Sequence, residues 1–87
     1  MKSVVSVIGK DMVGILAKVA GCCAAHNANV SDVTQSVMDG YFCMVMVIDI
    51  DDMTCEIPEL EKKIRETVPA MVVHVMHEDI FNSMHRI

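Results

Sequence analysis

The chain has 87 residues, which is enough for one compact domain and too few for a second hydrophobic core. There are 12 acidic and seven basic residues, giving a formal net charge of −5, and the basic residues are scattered, so phosphate backbones would be repelled. One tyrosine and two phenylalanines are too few for a base-stacking platform, and we expect no nucleic-acid partner.

The start of the chain predicts a strand followed by a helix. Residues Lys2 to Ile8 form a short valine- and isoleucine-rich run that ends at Gly9, which is typical of a buried strand. From Asp11 onward, apolar residues recur at spacings of three and four, the period of a helix. The residues with this spacing are Met12, Ile15, Leu16, Val19, Cys22, Cys23 and His26. We expect Asp11 to be the N-cap of this helix and Asn27 to end it.

A β-hairpin is predicted next. Residues Asn29 to Met38 and Tyr41 to Ile50 resemble strands, and Asp39-Gly40 between them is a strong signal for a tight turn. The second of these strands is apolar on both faces, with Phe42, Met44, Met46 and Ile48 on one face and Tyr41, Cys43, Val45 and Val47 on the other. Because strand side chains alternate between faces, both faces of the sheet need a cover.

A second helix and a last strand complete the pattern. The segment from Asp51 to Thr54 breaks the hairpin strand, and one helix face is then marked by Ile57, Leu60, Ile64 and Val68. We expect Thr54 to cap this helix, and Pro58 falls in its tolerant first turn. Pro69 ends it. Residues Met71 to His77 then predict a strand, and Glu78 to Arg86 a short helix with Ile80, Phe81, Met84 and Ile87 on one side.

The order of these elements predicts an α+β fold in a single domain, residues 1–87, in which residues 79–87 are a C-terminal helical tail. Right-handed crossovers joined by the hairpin interleave the strands as fourth-first-third-second in an antiparallel sheet, with both helices on one face. This is the ferredoxin-like βαββαβ sandwich. We expect the tail to cover the second face of the sheet, on its own subunit or on a partner's.

Location and redox state follow from the apolar runs and the cysteines. No run approaches the roughly 18 residues of a membrane span, and the stretch from Ser3 to Ile8 is shorter than the roughly 7–15 residues of a signal-peptide core. We therefore expect a cytoplasmic protein without a membrane partner. Its four cysteines, Cys22, Cys23, Cys43 and Cys55, are expected to be reduced, buried thiols.

The first strand and first helix are joined by the loop Gly9-Lys10-Asp11-Met12-Val13-Gly14, followed by Ile15-Leu16-Ala17-Lys18-Val19. Here the chain resembles ACT domains, in which a G-x-D-x-x-G-(I/L/V) loop occupies this turn. The resemblance continues through Asn29-Val30-Ser31-Asp32-Val33, the Asp39-Gly40 hairpin and the apolar third strand, and so covers nearly the whole chain. The short length and the tail from Ile80 to Ile87 are similar to stand-alone, UPF0237-like single-ACT-domain proteins.

The same loop has physical reasons to bind a small zwitterion. The first turn of a helix leaves backbone N–H groups unpaired, and these favour a carboxylate by about 0.3–1 kcal/mol. Gly9 and Gly14 allow close approach, Lys10 would lie near the carboxylate, and Asp11 would accept from an ammonium group. Met12 and Val13 would add apolar contacts. The alternative is that Asp11 only caps the helix and that both glycines serve turn geometry and packing.

The resemblance also implies a second contributor to the site. In amino-acid-binding ACT domains the ligand lies between this loop and the start of the second strand of the other subunit, in a side-by-side dimer. That contributor would be Asn29 here, with Asp32 and Gln35 as further candidates. The second strand is an edge strand, which suits pairing with its twin. The alternatives are a turn-and-edge role for Asn29 and a solvated strand face for Asp32 and Gln35.

No metal site, cofactor or catalytic group is predicted. His74 and His77 lie three apart on a strand and point to opposite faces, and Cys22 and Cys23 diverge around a helix. No nucleophile with a base, and no pair of carboxylates, converges on a pocket. The resemblance implies a non-catalytic regulatory domain that binds an amino acid or similar small metabolite as a homodimer. The alternative is a ligand-free module that docks on a partner enzyme or regulator.

Overall fold

The computed structural model describes residues 1–10 and 13–84, which form four strands and three helices. In chain order the elements are β1 (Lys2–Gly9), α1 (Ile15–Ala25), β2 (Asn29–Met38), β3 (Tyr41–Asp49), α2 (Ile57–Thr67), β4 (Val72–His77) and α3 (Glu78–Met84). Within these residues, each helix is too short or too polar to span a lipid bilayer. The predicted order of elements is confirmed.

The four strands form one antiparallel sheet in the order β2-β3-β1-β4. β1 and β3 are the inner strands, and their register places Val5 opposite Met46 and Val7 opposite Met44. β2 and β4 are the edges. The predicted ferredoxin-like α+β fold and its strand order are therefore confirmed.

One face of the sheet, which we call the core face, packs against α1 and α2. The alternate residues of β3 on this face, from Phe42 to Ile48, are buried together with Val5 and Val7 of β1. The helices contribute their own buried residues to this cluster, which are Ile15, Val19, Cys23, Leu60 and Ile64. The period of two in the strands and of three to four in the helices thus directs apolar side chains into a single core.

The opposite face, which we call the outer face, is covered at one end by the described residues of α3. Val4 lies on this face and is 4% exposed, and α3 contacts β1 and β4, so α3 lies against the Val4 end of the sheet. At the other end the side chains of four apolar residues are between 37% and 58% exposed, namely Ile8, Tyr41, Val45 and Val72. Of the predicted tail, residues 85–87 and the side chain of Met84 lie outside the described part.

The turn between β2 and β3 depends on two left-handed residues. Asp39 has a φ of 53° and Gly40 a φ of 82°, and the register pairs Met38 with Tyr41 across them. Positive φ at both central residues is the requirement of the type I′ turn, whose twist matches that of the strands it joins. The predicted Asp-Gly hairpin is therefore confirmed.

The start of α1 differs from the prediction. The helix begins at Ile15, three residues later than expected, and its N-cap position is occupied by Gly14 with a φ of 69°. Asp11 is therefore not the cap, and Asp11 itself lies outside the described residues. The left-handed backbone at Gly14 interrupts the helical path, which is why the apolar spacing from Met12 did not extend the helix.

The end of α1 is closed near Asn27, as predicted, and Thr54 bonds to this helix end instead of capping α2. Asn27 is left-handed, with a φ of 60°, and the N–H groups of Asn27 and Ala28 donate to the carbonyls of Ala24 and Cys23 at 3.0 and 2.8 Å. The backbone N–H of Thr54 donates to the His26 carbonyl at 2.9 Å, so Thr54 fastens the loop before α2 to the end of α1. The N-cap of α2 is Glu56, and Pro58 lies in the first turn as expected.

All four cysteines are free thiols, as the sequence predicted, but the expectation that all are buried is correct only for Cys23, which lies on the core side of α1; the other three are partly exposed. Burial, with smaller contributions from Cys22 and Cys55, raises the pKa of the Cys23 thiol to about 11. Desolvation favours the neutral form of a thiol, so Cys23 is an unreactive core residue at neutral pH.

A test of the two faces of β3 uses neighbouring residues. Met46→Ala removes a fully buried side chain and is expected to lower the free energy of unfolding by about 2–5 kcal/mol. Val45→Ala, on the outer face of the same strand, is the control and should cost less than about 1 kcal/mol. Urea titrations of the two variants measure this, and equal losses would contradict the assignment of the faces.

The buried thiol predicts a loss of stability at alkaline pH. In the unfolded chain a cysteine releases its proton near pH 8.5, whereas Cys23 in the folded chain holds it to about pH 11. The unfolded state therefore binds fewer protons across this window, and the free energy of unfolding should fall as the pH rises through it. Urea titrations at several pH values measure the slope, which should shrink in Cys23→Ala but not in Cys43→Ala.

Candidate functional site

The predicted ligand loop leaves the sheet at the end of β1. Gly9 is the last residue of β1 and lies opposite Phe42. A Cβ atom at Gly9 would overlap Sδ of the buried Met71 and would lie 3.5 Å from the carbonyl oxygen of Ala70. Packing against the segment before β4 is therefore a sufficient reason for glycine at this position.

Lys10 lies toward the outer face of the sheet. Its Nζ atom is 5.5 Å from the centroid of the Tyr41 ring, which is cation–π distance. Tyr41 belongs to the outer face, whereas α1 packs on the core face. The ammonium group of Lys10 is thus directed away from α1 in this conformation.

The rest of the loop leads into α1. Asp11 and Met12 lie outside the described residues, and Val13 is 81% exposed. The first helical hydrogen bond is donated by the N–H of Lys18 to the carbonyl of Gly14 at 3.0 Å. The N–H groups of Ile15, Leu16 and Ala17 consequently have no carbonyl acceptor within the helix. They lie at the positive end of the helix dipole.

Asn29 lies at the opposite end of the sheet from the loop. It is the first residue of β2 and pairs with Asp49, whereas Gly9 pairs with Phe42 at the other end of β3. At about 3.3 Å per residue, the distance between these two positions along β3 is about 23 Å. One copy of the chain does not bring Asn29 and the loop together.

Asp32 and Gln35, the other candidates on β2, do not share a face. Asp32 pairs with Val47 on the outer face, and its carboxylate accepts the N–H of Val33 at 2.8 Å. Gln35 pairs with Met44 on the core face, and Gln35 is exposed. The register shift between Val30 and Asp32 determines which residues of β2 lie on each face.

A shallow concavity that the sequence did not predict lies beside Asn29. It is open to solvent, has a volume of about 200 Å³, and is lined by Ala24, Asn27, Ala28 and Asn29. The side chain of Asn27 donates to the carbonyl of Asp52 at 2.9 Å, which holds one wall in place. Sequence analysis identified Asn27 only as a helix end, and the two small alanines carried no separate signal.

The two histidines of β4 lie on opposite faces of the sheet. His74 pairs with Ser6 on the outer face and His77 with Ser3 on the core face, as the strand period predicted. Within residues 1–10 and 13–84, no three histidine, cysteine or acidic residues are close enough to share a metal ion.

The sequence is similar to proteins of bacteria and archaea over its full length. A family model described as the ACT domain matches residues 3–77. A UPF0237 protein of Clostridium perfringens is 44% identical over 89 residues and is covered completely, as is this chain. A UPF0237 protein of Methanocaldococcus jannaschii is 42% identical over 86 residues, which cover 97% of this chain and 96% of that protein.

A solved structure agrees with these relatives. The ACT domain protein from Streptococcus pneumoniae superposes with a TM-score of 0.80 at 30% sequence identity, covering 93% of each chain. The family match, the relatives and the fold therefore lead to one conclusion. The chain belongs to the ACT domain family, whose fold is associated with regulation and small-ligand binding.

Proposed function

We propose that the chain is a non-catalytic regulatory domain that forms a homodimer through β2 and binds an amino acid or similar small metabolite between its subunits. The proposal rests on one observation: within one chain the loop and Asn29 lie at opposite ends of the sheet, and the β2 edge that begins at Asn29 is open. In the described part of one chain, Asn29 borders only a shallow concavity and lies far from the loop, and a second copy would bring the two together.

The free edge of β2 is suited to strand pairing. Met38 and Tyr41 flank a two-residue turn and so form a hydrogen-bonded pair, after which bonded and non-bonded pairs alternate. The backbone groups of Val33, Gln35 and Val37 therefore face away from β3. Isolated edges are usually short or protected by charges, prolines or a cover. β2 has ten residues, no proline and one charged residue, Asp32.

Antiparallel pairing would complete the site. Because the direction of the second strand is reversed, the partner subunit's Asn29 would lie at the end of the sheet that carries the loop of the first subunit. Centred on Gln35, this register would set Val33 opposite the partner's Val37, so the outward backbone groups would match without opposing charges. The concavity beside the partner's Asn29 would also come to this end.

The chemistry at this junction fits a zwitterion. The first-turn N–H groups of α1 favour a carboxylate, while Asp11 and the amide oxygen of Asn29 offer acceptors for an ammonium group. A ligand held by both subunits binds the dimer more tightly than the monomer and therefore stabilises it by mass action. A change in the dimer population is then the signal that a regulated partner can read.

The dimer is tested by proline in the open edge. Val37→Pro removes an outward N–H group without removing a β2–β3 hydrogen bond, and the substituted strand should remain paired with β3. We expect the mass in sedimentation equilibrium to fall from that of two chains to that of one, 9.6 kDa.

Val37→Ala is the matched control for this experiment. It truncates the same exposed side chain but keeps the backbone N–H group, and it should remain a dimer. A wild-type chain that sediments as a monomer at all concentrations would contradict the proposed dimer. Circular dichroism checks that both variants are folded.

Ligand binding is tested by thermal unfolding with each of the proteinogenic amino acids. At one hundred times its Kd, a ligand stabilises the folded state by about 2.7 kcal/mol. For a domain of this size that raises the Tm by at least about 10 °C. Asn29→Ala should lose most of this shift, whereas Asn82→Ala, an exposed asparagine on α3, should keep it.

The contrary outcome leads to the second candidate function. If a folded wild-type dimer is stabilised by none of the amino acids, the chain acts instead as a ligand-free module that docks on a partner enzyme or regulator. The exposed apolar side chains of Ile8, Tyr41, Val45 and Val72 on the outer face favour this alternative. Capture of one stoichiometric partner that is lost in Val45→Lys would support it.

A further inference from the structure

The two edges of the sheet differ in the side chains that reach them. On the β4 side, the Nε and Nη2 groups of Arg65 donate to the carbonyl oxygen of Val73 at 3.2 and 3.0 Å. The carboxylate of Glu61 accepts the backbone N–H of Val75 at 2.9 Å. Both side chains belong to α2, one turn apart, and their charged groups are 3.6 Å from each other.

These bonds occupy the groups that another strand would need. In an antiparallel edge strand, alternate residues direct their N–H and C=O groups away from the sheet. Val73 and Val75 are two successive residues of this kind, because the C=O of Val73 and the N–H of Val75 bond to side chains of α2 and not to β1. β4 has six residues, so a strand adding to it would have to displace both contacts.

Among residues 1–10 and 13–84, the β2 edge has no equivalent cover. The carboxylate of Asp32 accepts the N–H of Val33, which is a local contact. No side chain of these residues bonds to the outward groups of Gln35 or Val37. The longer edge is thus open and the shorter one is closed.

We propose that the Glu61–Arg65 pair closes the β4 edge against strand addition and so confines pairing between copies of this chain to β2. A sheet with two open edges can add copies at both, and repeated pairing would produce an open-ended ribbon. One closed edge limits the assembly to a dimer. The restriction to a dimer rests on the proposed pairing through β2, whereas the closure of the β4 edge does not.

The test is the mass of Glu61→Ala/Arg65→Ala, measured by sedimentation velocity over a wide range of concentrations. The outward groups of Val73 and Val75 are then free, and we expect species larger than those of the wild type that dissociate on dilution and keep the wild-type circular dichroism spectrum. Adding Val37→Pro to the same chain blocks β2, and this triple variant should form a dimer through β4.

Two controls separate this effect from a general loss of stability. Lys62→Ala/Glu66→Ala removes an oppositely charged pair with the same spacing from exposed positions of the same helix, and it should sediment like the wild type. Glu61→Gln/Arg65→Lys keeps an acceptor for Val75 and a donor for Val73, and it should also retain the wild-type mass.

Either of two results would overturn the inference. A double alanine variant with the wild-type mass at all concentrations, together with a monomeric triple variant, overturns it. If the double variant does not fold, Arg65→Ala alone exposes the Val73 carbonyl, and a wild-type mass for that variant overturns it equally. A monomeric wild type with a dimeric double variant would refute the β2 dimer while supporting the closure of β4.

Discussion

The alternation of side chains along β3 is the constraint on which the rest of the structure depends. Phe42, Met44, Met46 and Ile48 face the helices and are buried, and this sequence of large apolar residues fixes the register with β1. A shift of one residue would move all four to the outer face, so the register is strongly determined. With β3 and β1 in the centre, β2 and β4 must be the edges, and the loop and Asn29 must lie at opposite ends of the sheet.

Most of the fold could be predicted because its signals are local. Apolar periodicity identified each element, the Asp39-Gly40 dipeptide identified the hairpin, and the handedness of crossovers fixed the strand order. The start of α1 was placed too early because the left-handed backbone at Gly14 is not visible in the apolar spacing, and the cap of α2 was wrong because a tertiary contact decided it. Thr54 had the side chain of a helix cap, but its N–H and hydroxyl groups bind the carbonyl of His26, which is distant in sequence.

The candidate site was less predictable for the same reason. The sequence identified the loop and Asn29 but contains no information on their separation, which is set by the length of β3. Glu61 and Arg65 were part of the polar face of α2 and resembled ordinary solvated residues. Their contacts with Val73 and Val75 exist because β4 lies beside α2, and no local sequence pattern predicts that these elements are close.

The separation of the loop from Asn29 has a consequence for the symmetry of the proposed dimer. A two-fold axis through β2 would generate two equivalent ligand sites, each with its loop from one chain and its Asn29 from the other. In a mixed dimer of one chain altered in the loop and one altered at Asn29, one site would carry both alterations and the other would carry neither. Each mixed dimer formed from two inactive homodimers would thus have one intact site of its two, a form of complementation that a site within one chain does not allow.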